Sequence, residues 1–426
     1  MNAHIFGMLL AAYLLVGRWS VGRIDGSIDV DPVMQQPRMW IVVLLVLLAV
    51  ALQRKPVASS KGKGFAPLDS AICIFLIYLI ITGLWAPQVD AVYPKAFELF
   101  LMLTVALTIL MSRGTLAHEK VQTGFWWTLV LVGLAMAGLA ILNAAGGRIH
   151  VPGGGPNTFG RNMGLMALGA AYLASRYGTK ATPITVAVMI VAAWLILMSG
   201  SRGALLSSTV GICILLIAAR ASLFAKLAIA GVIASGTAVL LFNTNSGNDA
   251  LDIFQSRIVE TTVYNRNLSS RDDLWLDAID WARERPWFGW GLNGYLANSW
   301  TYPHNIFLEV TVEGGCVGLL LLLNVGRAWF SQVRRCNYHV PRVPLAGLAL
   351  ALTAAQTSGD LFDSRAVFLM LALSAPVIAL PIRATRRQLL VSIQSPRHAG
   401  QIKATVAGSS LASLGVSNLR PTLNES

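Results

Sequence analysis

The 426-residue chain is 55% apolar and only 12% charged, against roughly 25% charge in an ordinary soluble domain, which excludes a soluble enzyme. Its four cysteines (Cys73, Cys213, Cys316, Cys336) have no C-x-x-C spacing and mostly fall inside apolar runs, excluding a disulfide framework or a thiolate metal site. A net charge of +13 would raise nucleic acid as the partner of a soluble protein, so the meaning of that charge depends on where it sits.

In chain order, apolar runs closed by charged, Gly or Pro residues predict about twelve transmembrane helices. They lie near 2–17, 39–52, 68–85, 96–112, 122–143, 162–175, 182–198, 203–219, 224–242, 305–325, 343–358 and 366–382. The first, second, sixth and eleventh are short or weak. Lipid offers no partner to unpaired backbone groups, and runs of this length without alternation are helices, so the fold class is an all-α integral membrane protein. The first run has no basic start and no A-x-A site, so no cleavable signal peptide is expected.

Lys and Arg orient the spans. With a cytoplasmic N-terminus, the inside loops collect Arg54, Lys55, Lys61 and Lys63, Arg113 and Lys120, Arg176 and Lys180, Arg220 and Lys226, then Arg327, Arg334, Arg335 and Arg342. The inside carries few acids, whereas outside acids and bases nearly cancel. The positive charge therefore reads as a topology signal that places both termini in the cytoplasm, with no nucleic acid implied.

These elements divide the chain into spans one to nine (1–242), an outside loop (243–303), spans ten to twelve (304–387) and a tail (388–426) rich in Ser, Ala and Gly that is expected to be disordered. Inside the loop, Leu274, Trp275, Ala278, Ile279 and Ala282 recur at helical spacing. Ser269 or Ser270 is positioned to cap this helix, Asp272 and Asp273 complement its dipole, and Pro286 ends it. Its Trp content (Trp275, Trp281, Trp287, Trp290, Trp300) suits the outer membrane interface.

Topology also sorts the candidate chemistry. Of six histidines, only His150 and His304 fall outside, and His304 opens span ten at the rim of the loop. A helix-capping or interfacial histidine is the competing explanation. Arg161, Arg202, Arg266 and Arg271 stand on the same side, although short outside turns disfavour arginine. Each could be a snorkelling side chain or pair with Asp272 and Asp273. Together, because guanidinium suits bidentate phosphate binding, they suggest a polyanionic ligand. A metal is not expected, since Asp272 and Asp273 point ~100° apart on a helix and no D-x-D or H-x-x-x-H pattern occurs. Within span ten, Asn305, Glu309 and Glu313 share a face; these carboxylates are either functional or bonded between helices. The glycine strings at 153–155 and 314–315 read as turns or close helix packing.

The strings Ser199 to Leu205 (SGSRGAL), Arg271 to Trp275 followed by Pro286 and Gly289 to Gly291, and His304 and Asn305 with Gly314, Gly315 and Gly318 resemble the O-antigen ligase and polymerase superfamily of bacterial envelope proteins. The resemblance covers most of the chain beyond the first two spans and before the tail. It implies a GT-C-like membrane fold in the bacterial inner membrane with a periplasmic active site. The implied activity is metal-independent, inverting glycosyl transfer without a cofactor, from undecaprenyl-diphosphate-linked O-antigen to lipid A-core, completing lipopolysaccharide. It implies His304 as the base and Arg161, Arg202 and Arg271 as diphosphate ligands. Arg266 beside the loop serines extends that set, and Asn157, in the stretch that carries Arg161, and Asn305, next to His304, support it. Polymerases of the superfamily commonly carry two large loops with R-x10-G repeats. Here there is one, and the residues eleven after Arg161 and Arg271 are Tyr172 and Ala282, which favours a ligase over a polymerase or a protein O-oligosaccharyltransferase. A lipid-linked glycan transporter would show two symmetric halves with interrupted helices, and no such symmetry is evident.

Overall fold

A computed structural model describes residues 2–17, 19, 36–53, 67–112, 119–143, 148–178, 181–219, 222–243, 252, 255, 271–299, 301–335 and 340–375. The tail, the caps expected at Ser269 and Ser270, and Arg266 lie outside these residues. Among the described residues the chain is helical: α1 (Asn2–Val16), α2 (Pro37–Gln53), α3 (Pro67–Thr82), α4 (Val89–Met111), α5 (Glu119–Leu142), α6 (Pro156–Tyr177) and α7 (Thr182–Met198). After these come α8 (Arg202–Ala218), α9 (Leu223–Asn243), α10 (Arg271–Glu284), α11 (Leu296–Ser299), α12 (Ile306–Arg335), α13 (Arg342–Ala355) and α14 (Arg365–Ser374). Each apolar run of the sequence overlaps one of these helices. By length and composition five of them are long and apolar enough to cross a membrane: Pro67–Trp85, Val89–Met111, Glu119–Leu142, Leu223–Leu241 and Ile306–Arg335.

One apolar core joins α1 to α5 with α12 to α14, and a second joins α5, α6 and α7 with Ile149 and Val151. Small residues set the helix crossings that matter for the site, because only they let two helix backbones approach closely. Gly160 of α6 abuts Ser199 and Ala204, and Gly164 abuts Ser208, so a side chain at either position would push α6 away from α8.

The loop glycines have a specific cause. α12 is kinked at Gly315, whose φ of 63° and ψ of −164° lie in a region open essentially to glycine alone. At the kink the N–H groups of Cys316 and Val317 leave the helix ladder and donate to Pro286 O (2.7 Å) and Trp287 O (3.3 Å). In return, Val312 O and Glu313 O accept from the N–H groups of Trp290 (2.8 Å) and Gly291 (3.0 Å). The P-W-F-G-W-G segment thus substitutes for a missing helical turn, satisfying backbone groups that burial would otherwise leave unpaired. A Cβ at Gly315 would run into the Trp287 carbonyl. Gly315→Ala is therefore expected to destabilise the protein by about 2 kcal/mol or more, visible as a lower thermal unfolding midpoint in detergent.

Candidate functional site

Connections between helices meet at one end of the bundle. The Trp19 indole donates to Pro152 O (2.9 Å), Gln88 to Ala297 O (3.2 Å) and Asn293 to Ala91 O (2.8 Å), while Gly203 packs on Thr357. The loop helix α10 is tied in by Trp275, whose indole N–H donates to Pro303 O at 2.9 Å, and by the Tyr295 hydroxyl on Leu274 O at 3.0 Å. Trp281, Trp290 and Tyr295 pack beside Ala278. Of the apolar stripe expected on α10, Ala278 is buried, Leu274, Trp275 and Ala282 are half-buried and Ile279 is exposed, as suits a helix at an interface.

His304 is the residue after Pro303, and its placement is unusual. Its φ is +54°, a left-handed conformation that costs a non-glycine residue about 1–3 kcal/mol. It is not the helix cap. Asn305 fills that role, its Oδ1 accepting from the N–H groups of Phe307 (3.0 Å) and Leu308 (3.3 Å), so Asn305 stands outside α12 rather than on a face shared with Glu309 and Glu313. The imidazole instead turns to the α13–α14 turn, where Nδ1 lies 3.2 Å from Gly359 O. A carbonyl only accepts, so Nδ1 carries the proton and Nε2 keeps its lone pair. Burial first, and the nearby Arg271 second, push the histidine below its ordinary value of 6.5, against the raising influence of the Gly359 bond and of Asp360 and Asp363.

The arginines gather around this ring. Arg271 opens α10, half-buried, and its pKa is shifted downward by burial and by the charge of Arg202, so the two guanidiniums share one neighbourhood and both remain cations. Arg202 begins α8 immediately after the Ser201 cap, whose hydroxyl accepts from Ala204 N at 3.2 Å. Arg161, buried in α6, pairs with Asp363 at 3.6 Å and donates to Thr158 at 3.2 Å. The sequence offered Asp272 and Asp273 as possible partners for the outside arginines. Both are exposed on α10, and Arg161 takes Asp363 instead. Asn157, one turn before Arg161, accepts from Arg148 at 3.2 Å.

Asp360, Asp363 and Lys95 escaped the sequence reading. Asp360 and Asp363 sit in the α13–α14 turn, Asp363 also facing Arg365 at 3.6 Å; their signal was a pair of acids (D-L-F-D) at the junction of two apolar runs. Lys95 lies buried in α4 and bonds Glu309 at 2.6 Å and Glu313 at 2.5 Å. Its ammonium is 5.3 Å from the Tyr302 ring centroid. The carboxylates of span ten are thus bonded between helices.

Residues 187–323 match a family model described as O-Antigen ligase. That stretch, about a third of the chain, is similar to the O-antigen ligase family. An O-antigen ligase of Pseudomonas aeruginosa is 34% identical over 114 residues, covering 24% of this chain and 27% of its own length. The matched segment contains Arg202, Arg271 and His304, whereas Arg148, Arg161, Asp360 and Asp363 come from outside it.

Proposed function

We propose that this chain is an inner-membrane O-antigen ligase. It moves O-antigen from undecaprenyl diphosphate to a sugar hydroxyl of lipid A-core at the periplasmic face, with both termini cytoplasmic and all twelve helices crossing the membrane. The observation that carries this reading is the His304 imidazole, whose Nδ1 is held by Gly359 O within reach of the Arg271 charge, leaving Nε2 without a hydrogen-bond partner among the described residues. In the proposed step, Nε2 takes the proton of the acceptor hydroxyl as its oxygen attacks the anomeric carbon. The bond to the diphosphate breaks with inversion, and the electron pair leaves on a diphosphate oxygen. Arg161, Arg202 and Arg271 stabilise that charge, the type of electrostatic contribution that dominates such transfers. Asp360 and Asp363 offset the positive charge of the imidazolium. Guanidinium groups take the role a divalent ion would have, so activity is expected to survive EDTA.

The decisive test is reconstitution of purified protein with undecaprenyl-diphosphate-linked glycan and, side by side, lipid A-core, a second glycan and a pilin-like protein. A glycan-lipid A-core product supports the ligase; products only from the other acceptors would overturn it in favour of a polymerase or a protein glycosylase.

The pH profile supplies a further check. Because the histidine is shifted below 6.5, it is neutral and basic at pH 7, and kcat/KM is expected to fall only as pH drops through the lowered value. Arg271→Gln removes a charge that lowers it, so the acid limb moves to higher pH. A wild-type limb above 6.5, or one that Arg271→Gln leaves in place, contradicts the assignment.

A further inference from the structure

Arg148 lies in the segment between α5 and α6. Its Nε donates to Ser199 O at 2.8 Å, and its Nη2 donates to Asn157 Oδ1 at 3.2 Å. Ser199 stands three residues before Arg202, in the turn that ends α7; Asn157 stands one helical turn before Arg161. One side chain therefore bridges the two segments that carry these arginines. The backbone beside it is fixed to the same turn, with Ile149 N donating to Met198 O at 3.1 Å. Gly160, abutting Ser199 and Ala204, leaves the two segments little room to slide. A guanidinium suits this place, because its planar fork directs two N–H groups at separate acceptors at fixed angles.

We infer that Arg148 is a positioning residue, holding the first turn of α6 and the α7–α8 turn at the separation that lets Arg161 and Arg202 grip one diphosphate. This inference rests on the donor site proposed above. Two arginines on separate helices bind a diphosphate together only if their spacing is kept within about 0.5 Å. With its Nε and one Nη directed at protein acceptors, Arg148 acts on the ligand through its neighbours.

The test is the affinity of the purified full-length protein for undecaprenyl diphosphate, with thermal unfolding in detergent as a check on folding. Arg148→Ala and Arg148→Lys are both expected to weaken binding roughly tenfold or more, because an ammonium keeps the charge but lacks the fork. Millimolar guanidinium ion is expected to recover most of the loss in Arg148→Ala. Asn157→Ala should weaken binding by itself and add less than twofold in the Arg148→Ala background. A purely architectural role would lower the unfolding midpoint and leave affinity within twofold of wild type, which overturns the inference. Full additivity with Asn157→Ala also overturns it, since Arg148 would then contact the ligand independently. Arg161→Ala and Arg202→Ala separate the two levels. If both weaken binding while the Arg148 variants do not, only this inference falls; if neither does, the donor site falls and Arg148 with it.

Discussion

His304→Ala is expected to lower the rate of glycan transfer by about 10²–10⁴-fold, the range contributed by a positioned general base, while undecaprenyl diphosphate still binds. The two effects separate because the base and the arginines sit on different elements. The imidazole is carried by the turn before α12 and held by Gly359 O, whereas Arg161, Arg202 and Arg271 come from α6, α8 and α10. Alanine also inherits a φ of +54°, which disfavours it, so His304→Gly serves as the companion variant that accepts this conformation freely. Both should lose transfer alike, measured as single-turnover formation of glycan-lipid A-core. Retention of full rate by either would remove His304 from proton transfer and leave its strained conformation without a catalytic explanation.

The helices were legible in the sequence because a lipid-facing run must be apolar over its whole length. The helix starts were less so where protein rather than lipid surrounds them. Span six was read from 162, but α6 begins at Pro156, a residue preset for the first helical position. The polar turn it adds carries Asn157, Thr158 and Arg161, and Asp363 accommodates the charge. Span four was read from 96, yet α4 begins at Val89 and takes Lys95 into the buried part of the helix. His304, Arg202 and Arg271 could be singled out because each opens or precedes a helix on the side that the charge pattern assigns to the outside. Arg148 was not singled out, since nothing in a Gly-rich loop marks the carbonyl that its side chain will find. The kink at Gly315 also leaves no trace in periodicity, because the pairing that supports it comes from Pro286 to Gly291, a segment separate from α12.

Lys95→Met is expected to have the largest effect on stability. Lys95, Glu309 and Glu313 are at most 3% exposed. Removing the ammonium leaves two carboxylates one helical turn apart with no cation between them. Breaking a buried pair in this way costs about 3–5 kcal/mol, enough to deplete folded protein in the membrane. Among the described residues Glu309 Oε2 has no hydrogen-bond partner even with Lys95 present. Neutralising the carboxylates as well, in Lys95→Met/Glu309→Gln/Glu313→Gln, should recover much of the lost stability, because amides are far less costly than ions to bury. The recovered protein should still transfer glycan more slowly than wild type. Lys95 packs over Tyr302, two residues before His304, and its charge reaches Asp360, next to Gly359. A Lys95→Met protein that unfolds at the wild-type midpoint would show that Lys95 does not stabilise the two buried glutamates.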